Sequence, residues 1–293
     1  MKRPKLIYNF YKYCVLPLKI FRMSVVDTVR QDGIEHSGYL AFLLLLSFFP
    51  FLIFIFSLIG IFGATEVGVE IIKSILSSTP KEVGEGLTPY INEIISGPPH
   101  SLLTIAIIGV IWTASSCVEG CRTILNRAYR IEYPPPYLLR RLFSIGEFFI
   151  ITFVIISGIL IFVILPNFLE ENNADLLVKL HFNYDLYYLR QILFFTLLTI
   201  ATASLYYALP NAKQKFTQTV PGSIVAVALW IIVEHVFSLY LEKFHQVNFV
   251  YGSLAGIVIS LLFFYLISVI FIFGAEFNYH FHRTYKIFLK AKK

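Results

Sequence analysis

The chain has 293 residues, 57% of them hydrophobic and 14% charged, with a formal net charge of +6. A soluble domain carries close to a quarter charged residues, so this balance excludes one. The 29 Phe and 18 Tyr exclude a disordered polymer, and three cysteines (Cys14, Cys117, Cys121) fit neither a disulfide framework nor a zinc set.

Residues 1–37 hold seven basic side chains: Lys2, Arg3, Lys5, Lys12, Lys19, Arg22 and Arg30. Within them Leu18, Phe21, Val25 and Val29 recur at helical spacing, with Lys19, Arg22 and Arg30 off that stripe. The pattern predicts a basic amphipathic helix lying on a membrane surface. The first membrane span is expected at 38–63. Pro50 sits in its middle, where it removes a backbone donor and bends the helix or opens its backbone.

Residues 64–100 carry five Glu and two Lys among two apolar stripes, the first stopped by Pro80 and the second by Pro98-Pro99. They read as two short amphipathic helices at the membrane interface. A second span is expected at 102–116, continuing into a polar helical extension that ends at Tyr133-Pro134-Pro135-Pro136. The third and fourth spans, 145–165 and 189–209, are each closed by a Pro-Asn pair. Pro221 opens the fifth, 221–241, in a first turn that tolerates proline. The sixth, 252–276, lies in the longest uncharged run of this region, Phe244 to Ala275, which holds no Asp, Glu, Lys or Arg. About 20 apolar residues suffice to cross a bilayer core. Gly252, Gly256 and Ser260 share one face of that helix, where small side chains let another helix approach closely. A basic tail, 280–293, follows.

The fold class is thus an all-α polytopic membrane protein. It comprises an N-terminal arm (1–37), a six-helix membrane domain (38–279) with short interfacial helices, and the tail. Six spans put both ends on one side. Nineteen of the 24 Lys and Arg fall in the segments on that side and four in the opposite loops, which places both termini in the cytoplasm.

Several stretches carry a resemblance. They are YLAFLLLLSFFPFLIFIFSLIG (39–60), LNRAYRIE (125–132), PGSIVAVALW (221–230), FSLYLEKF (237–244) and YGSLAGIVISLLFFYLISVIFIFGAEFN (251–278). Together they resemble the YihY/BrkB family of bacterial inner-membrane proteins, through nearly the whole chain. The resemblance implies six transmembrane helices. The family has carried the labels ribonuclease BN and virulence or serum-resistance factor, and it supplies no catalytic residues to transfer. The matching positions are Pro50, Asn126, Pro221, Gly222, Tyr251, Gly252, Glu276 and Asn278.

Ionisable groups inside spans are costly, so each is a functional candidate. Glu234 and His235 lie deep in the fifth span. They read either as a proton-linked pair or as groups hydrogen-bonded across a polar crevice. Glu119, Glu147 and Glu276 fall near cytoplasmic span ends, at the level of Arg122, Arg127, Arg140, Arg141, Asn126 and Asn278. They read either as a charged vestibule or as ion pairs locking helix ends. No catalytic set, metal site or cofactor is expected: no carboxylate cluster suits Mg²⁺, and His280 and His282, two apart on a helix, diverge. The expected partners are membrane lipids, with small-residue faces that leave room for a homo-oligomer and no nucleic acid. A transporter or flippase for an amphiphile is the leading reading, with a non-transporting envelope scaffold as the alternative.

Overall fold

The structure is a computed structural model that describes residues 16–62, 101–132, 135–159, 183–243 and 253–290. Every regular element among them is a helix. In chain order these are α1 Leu16–Arg30, α2 Gly33–Phe62, α3 Ser101–Ala128, α4 Tyr137–Ile159, α5 Asn183–Ala208, α6 Phe216–Lys243 and α7 Ser253–Lys290. Three segments, Gln191–Ala208, Phe216–Leu241 and Gly256–Thr284, are long and apolar enough to cross a membrane, and Gly33–Phe48 is a shorter apolar stretch. The expected interfacial helices in 64–100, and the ends of several expected spans, lie outside the described residues. The helix α2 runs through Pro50 without interruption.

The surface is that of a protein made for lipid. Leu138 and Phe153 expose 79% and 72% of their area, and many other large apolar side chains do the same. Contiguous exposed apolar surface on this scale is incompatible with water. Polar side chains within the apolar helices satisfy themselves locally. The hydroxyls of Thr152, Thr199, Thr202 and Ser268 each donate to the carbonyl four residues back, at 2.7–2.8 Å.

The chain folds as two compact units, one of residues 1–45, 120–136 and 195–293, the other of 46–119 and 137–194. In the second unit, Phe54 is buried against Phe148 and Phe149, with ring centroids 5.4 and 6.1 Å away. The Ser47 hydroxyl donates to the Thr113 carbonyl at 3.3 Å and ties α2 to α3.

In the first unit, α7 packs against both α6 and α1. Residues 271–278 of α7 are all buried. Eight consecutive buried residues span more than two turns, so this part of the helix is covered on every side. The contact with α6 is backbone to backbone. A Cβ at Gly222 would strike the Gly274 carbonyl and Asn278, and one at Gly274 would strike the Tyr206 hydroxyl and approach Ala226 and Gly222. Close approach through small residues is the way helices associate in lipid, and the structure places it at Gly222, Ala226 and Gly274. Among the described residues nothing lies against Gly256 on the face expected to do this. Gly256 is exposed, and a Cβ there would meet nothing within 4 Å; Ser260 is half-buried, and Gly252 lies outside the described residues. The reason is that the cover over α7 runs out toward its N-terminal half, where residues 256–258 are exposed.

Candidate functional site: a buried ionic cluster on the last helix

The helix α3 ends in a cap that normally calls for glycine. Arg130 N–H donates to the Arg127 carbonyl at 2.9 Å and Ile131 N–H to the Asn126 carbonyl at 2.8 Å. This pair of bonds is the Schellman pattern, which needs a left-handed residue just after the helix. Here that residue is Arg130, with φ of 59°. A side chain with a Cβ costs about 1–2 kcal/mol in that conformation. Strain of this kind persists where the surroundings over-determine it.

The surroundings are specific. Arg130 holds both oxygens of Glu276, Nη1 to Oε1 at 2.8 Å and Nη2 to Oε2 at 2.9 Å. Its Nη2 also reaches Asp27 Oδ2 at 3.2 Å. Its guanidinium lies 4.6 Å from the centre of the Tyr279 ring. The same Asp27 oxygen is 2.9 Å from His280 Nε2. Glu276 is 1% exposed and His280 3% exposed, and His280 Nδ1 is buried with no hydrogen-bond partner among the described residues. Asp27 comes from α1, Arg130 from the end of α3, and Glu276 and His280 from one face of α7. Burial opposes the Arg130 charge, but the Glu276 hydrogen bond and charge outweigh it and hold the guanidinium above its usual range.

Around this cluster, polar side chains fasten backbone ends. Asn278 Oδ1 accepts from Gly222 N–H at 2.6 Å, and its Nδ2 lies 3.4 Å from the Tyr129 hydroxyl. Burial pushes the Tyr129 phenol well above its ordinary range, so it stays neutral. Asn126 accepts from Asn211 N–H at 2.8 Å and donates to Asn211 Oδ1 at 3.0 Å. Arg122 donates to the Leu209 carbonyl at 2.8 Å, and Tyr206 to the Phe271 carbonyl at 2.7 Å.

The second unit has its own polar group. Ser144 donates to Glu119 Oε2 at 2.8 Å, and Arg140 Nε lies 3.6 Å from Oε1. Arg141 stacks its guanidinium over Trp112 at 4.3 Å and donates to Ser116 Oγ at 3.0 Å. Glu147 is half-buried on the same helix.

The residues read from sequence therefore sort into three groups. Glu276, Asn278 and Asn126 are all buried in the first unit, Glu276 on Arg130, Asn278 on Gly222 and Asn126 on Asn211. Glu119 belongs to the polar group of the second unit. Glu234 and His235 belong to neither: both are exposed on α6, so the enclosed polar cavity expected around them is not formed by the described residues. Glu234 lies two turns beyond Val227, on the same face of α6 that is buried at Ser223 and Val227. Phe237, three residues further on, is buried again against Phe263, with ring centroids 5.1 Å apart. Of the charges expected to line a vestibule, Glu119, Arg122, Arg141 and Glu276 are buried, Arg140 and Glu147 are half-buried and Arg127 is exposed.

Asp27, Arg130 and His280 were not singled out by sequence reasoning as site residues. Their ligand atoms include a set that a cation could use, since Asp27, Glu276 and His280 each offer one within 4.8 Å of the others. Arg130 already occupies both Glu276 oxygens, so a cation would have to displace it. His282, two residues beyond His280 and off this face, is exposed.

Sequence comparison gives the family. The profile of the family described as Virulence factor BrkB matches residues 25–292, and the chain belongs to that family. A Bacillus subtilis (strain 168) relative, YfkH, whose name describes it as ribonuclease-like, is 29% identical over 267 residues, covering 88% of this chain and 93% of its own. A UPF0761 membrane protein of Alteromonas mediterranea is 25% identical over 279 residues, covering 93% and 91%. No solved structure matches. The chain is an integral membrane protein of the UPF0761/BrkB family.

Proposed function

We propose that this protein is a bacterial inner-membrane transporter or flippase-like protein for an amphiphilic substrate, with both termini in the cytoplasm and the Asp27–Arg130–Glu276–His280 cluster as its proton-coupling centre. The observation that supports this reading is the charge balance of the cluster. Two carboxylates face one guanidinium and one imidazole, so the group is one charge negative with His280 neutral and balanced with it protonated. Uptake of a single proton thus changes whether the centre is neutral around the buried Glu276 and His280, where charge is least screened. Stability alone gives little reason to keep such a centre, because well-packed apolar residues usually serve as well or better. Glu276 and His280 lie in a segment apolar and long enough to cross a membrane, and an ionisable group in such a segment is a functional candidate by default. The charged neighbours of His280 are Asp27 on α1, Arg130 after α3, and Glu276 and Arg283 on α7.

An enzyme is not proposed. A nuclease needs free acid, base or metal-binding groups around a phosphodiester, whereas here Arg130 holds both Glu276 oxygens. The ribonuclease-like wording belongs to the Bacillus relative.

A second reading, a non-transporting envelope scaffold, is favoured by the exposure of Glu234 and by the closed packing around Asn126 and Asn278. Complementation separates the two. A deletion strain with an envelope phenotype receives wild type, His280→Gln or Glu276→Gln, with membrane levels measured in parallel. Loss of function at normal levels in both variants is expected for a coupling centre. Full function at normal levels in both moves the assignment to the scaffold.

A further inference from the structure

The helix α1 buries the wrong face for a helix in water. Its buried residues are Leu16, Ile20, Ser24 and Thr28, and the two hydroxyls are quenched on carbonyls four residues back, at 2.9 and 2.8 Å. Its apolar stripe faces outward: Leu18 is 72% and Val29 59% exposed, with Phe21 and Val25 between them. Two grooves run along this outer face and share Phe21 and Val25. One, of about 620 Å³, has Lys19 and Arg22 in its wall, and its lining among the described residues comes from α1. The other, of about 250 Å³, is wholly apolar and lies between α1, α6 and α7, with Leu229, Ile270 and Phe273 in its wall. Phe21 meets Phe273 edge to face at 5.2 Å between them.

We propose that this composite groove binds one anionic phospholipid, its phosphate on Lys19 and Arg22 and an acyl chain along Val25 and Val29 toward Ile270. Lys19 and Arg22 are exposed, three residues apart on one helix face, and neither forms an ion pair among the described residues. Cations beside an apolar trough are complementary to a molecule with a negative head and a hydrocarbon tail. A juxtamembrane basic residue gains attraction from anionic lipid, and a buried chain adds more for each methylene. A second copy of this face would be a poor occupant, since it would bring Lys19 and Arg22 against themselves. The only carboxylate of α1, Asp27, is already engaged by Arg130 and His280. The inference goes beyond the transport reading: a lipid seated here stabilises the junction of α1, α6 and α7 whether or not the ionic cluster moves protons.

The test uses the full-length protein, purified and delipidated in an uncharged detergent. Short-chain phosphatidylglycerol, short-chain phosphatidylcholine and inorganic phosphate are added in separate arms. Binding is read by native mass spectrometry, and the melting temperature is followed alongside. Phosphatidylglycerol is expected to bind one to one and raise the melting temperature, with phosphatidylcholine needing at least about tenfold more lipid, one decade in affinity. Phosphate alone is expected to do neither. The Lys19→Gln/Arg22→Gln variant, altered only at exposed positions, should bind both lipids alike, while Arg30→Gln keeps the preference. Val29→Asp should weaken both lipids. Equal binding of the two lipids by wild type, or an undiminished preference in the double variant, would overturn the proposal.

Discussion

The two halves of α7 belong to one helix of 38 residues and live in different environments. From Gly256 to Val258 the chain is exposed; from Phe271 to Asn278 it is buried on all sides. Length alone makes this natural: 38 residues of helix reach about 57 Å, against about 30 Å of bilayer core. Composition does not separate the halves, since both are rich in Phe, Leu and Ile. What separates them is the presence of groups that bind backbone. The buried half has Gly274 for close approach, Asn278 for a neighbour's N–H, and Glu276 for the strained Arg130. The exposed half has Gly256 with nothing against it. In a lipid solvent, apolar side chains gain little by leaving the bilayer for one another, so packing and hydrogen bonding decide where helices meet.

The comparison breaks most visibly at Arg130. Arg130→Leu should destabilise the purified protein by about 3–5 kcal/mol, because Glu276 is left buried and uncompensated. Adding Glu276→Leu to that variant should recover part of the loss, since the orphan charge then goes too. Thermal melting in detergent measures both, and a double variant no better than the single one would show that the pair acts through packing.

A steric version of the same contrast comes next. Gly274→Leu should cost about 1–3 kcal/mol by forcing apart α5, α6 and α7, whereas Gly256→Leu should change stability by no more than about 0.5 kcal/mol. Equal losses at the two positions would mean that the open half of α7 is packed against a partner molecule.

Smaller still is Tyr206→Phe. It removes one hydrogen bond to the Phe271 carbonyl and leaves the ring stack, whose centroids are 4.9 Å apart, in place. A loss of about 1 kcal/mol is expected, and double-mutant analysis with Gly274→Ala would show whether the two sites couple.

The smallest effect is expected at Glu234. Glu234→Gln should leave melting within about 0.5 kcal/mol of wild type, because the side chain is exposed and its removal strands nothing. A large loss would place this carboxylate in a structural hydrogen bond.

These contrasts also explain what could be read from the chain. The all-helical membrane class was legible, because charge depletion over long runs leaves few alternatives. Glu276, Asn278, Asn126 and Gly222 stood out through the motifs that contain them, and the structure joins Gly222 to Asn278 and Glu276 to Arg130. Glu234 was drawn by the opposite logic: an acid deep in an apolar run suggests a cavity, but hydropathy says nothing about which positions of a helix are covered. Asp27 and Arg130 were missed because their roles are tertiary. Each looks like an ordinary interfacial charge until the chain brings them together, 103 residues apart. One signal was present for Asp27, the first acidic residue of the chain after six cations. The first acid in a basic arm invites the question of which cation it serves. For Arg130 the local signal was the absence of glycine where α3 must turn out of its last turn.

The cap at Arg130 sets a schedule for biogenesis. Asp27 and Arg130 leave the ribosome long before Glu276 and His280, and His280 lies 253 residues after Asp27. Until α7 arrives, the left-handed turn has lost its main counter-charge, and the earlier helices wait in the bilayer with a guanidinium unsheltered. Completion of the last helix is therefore the step that latches the first, because only then do Glu276 and His280 meet Arg130 and Asp27.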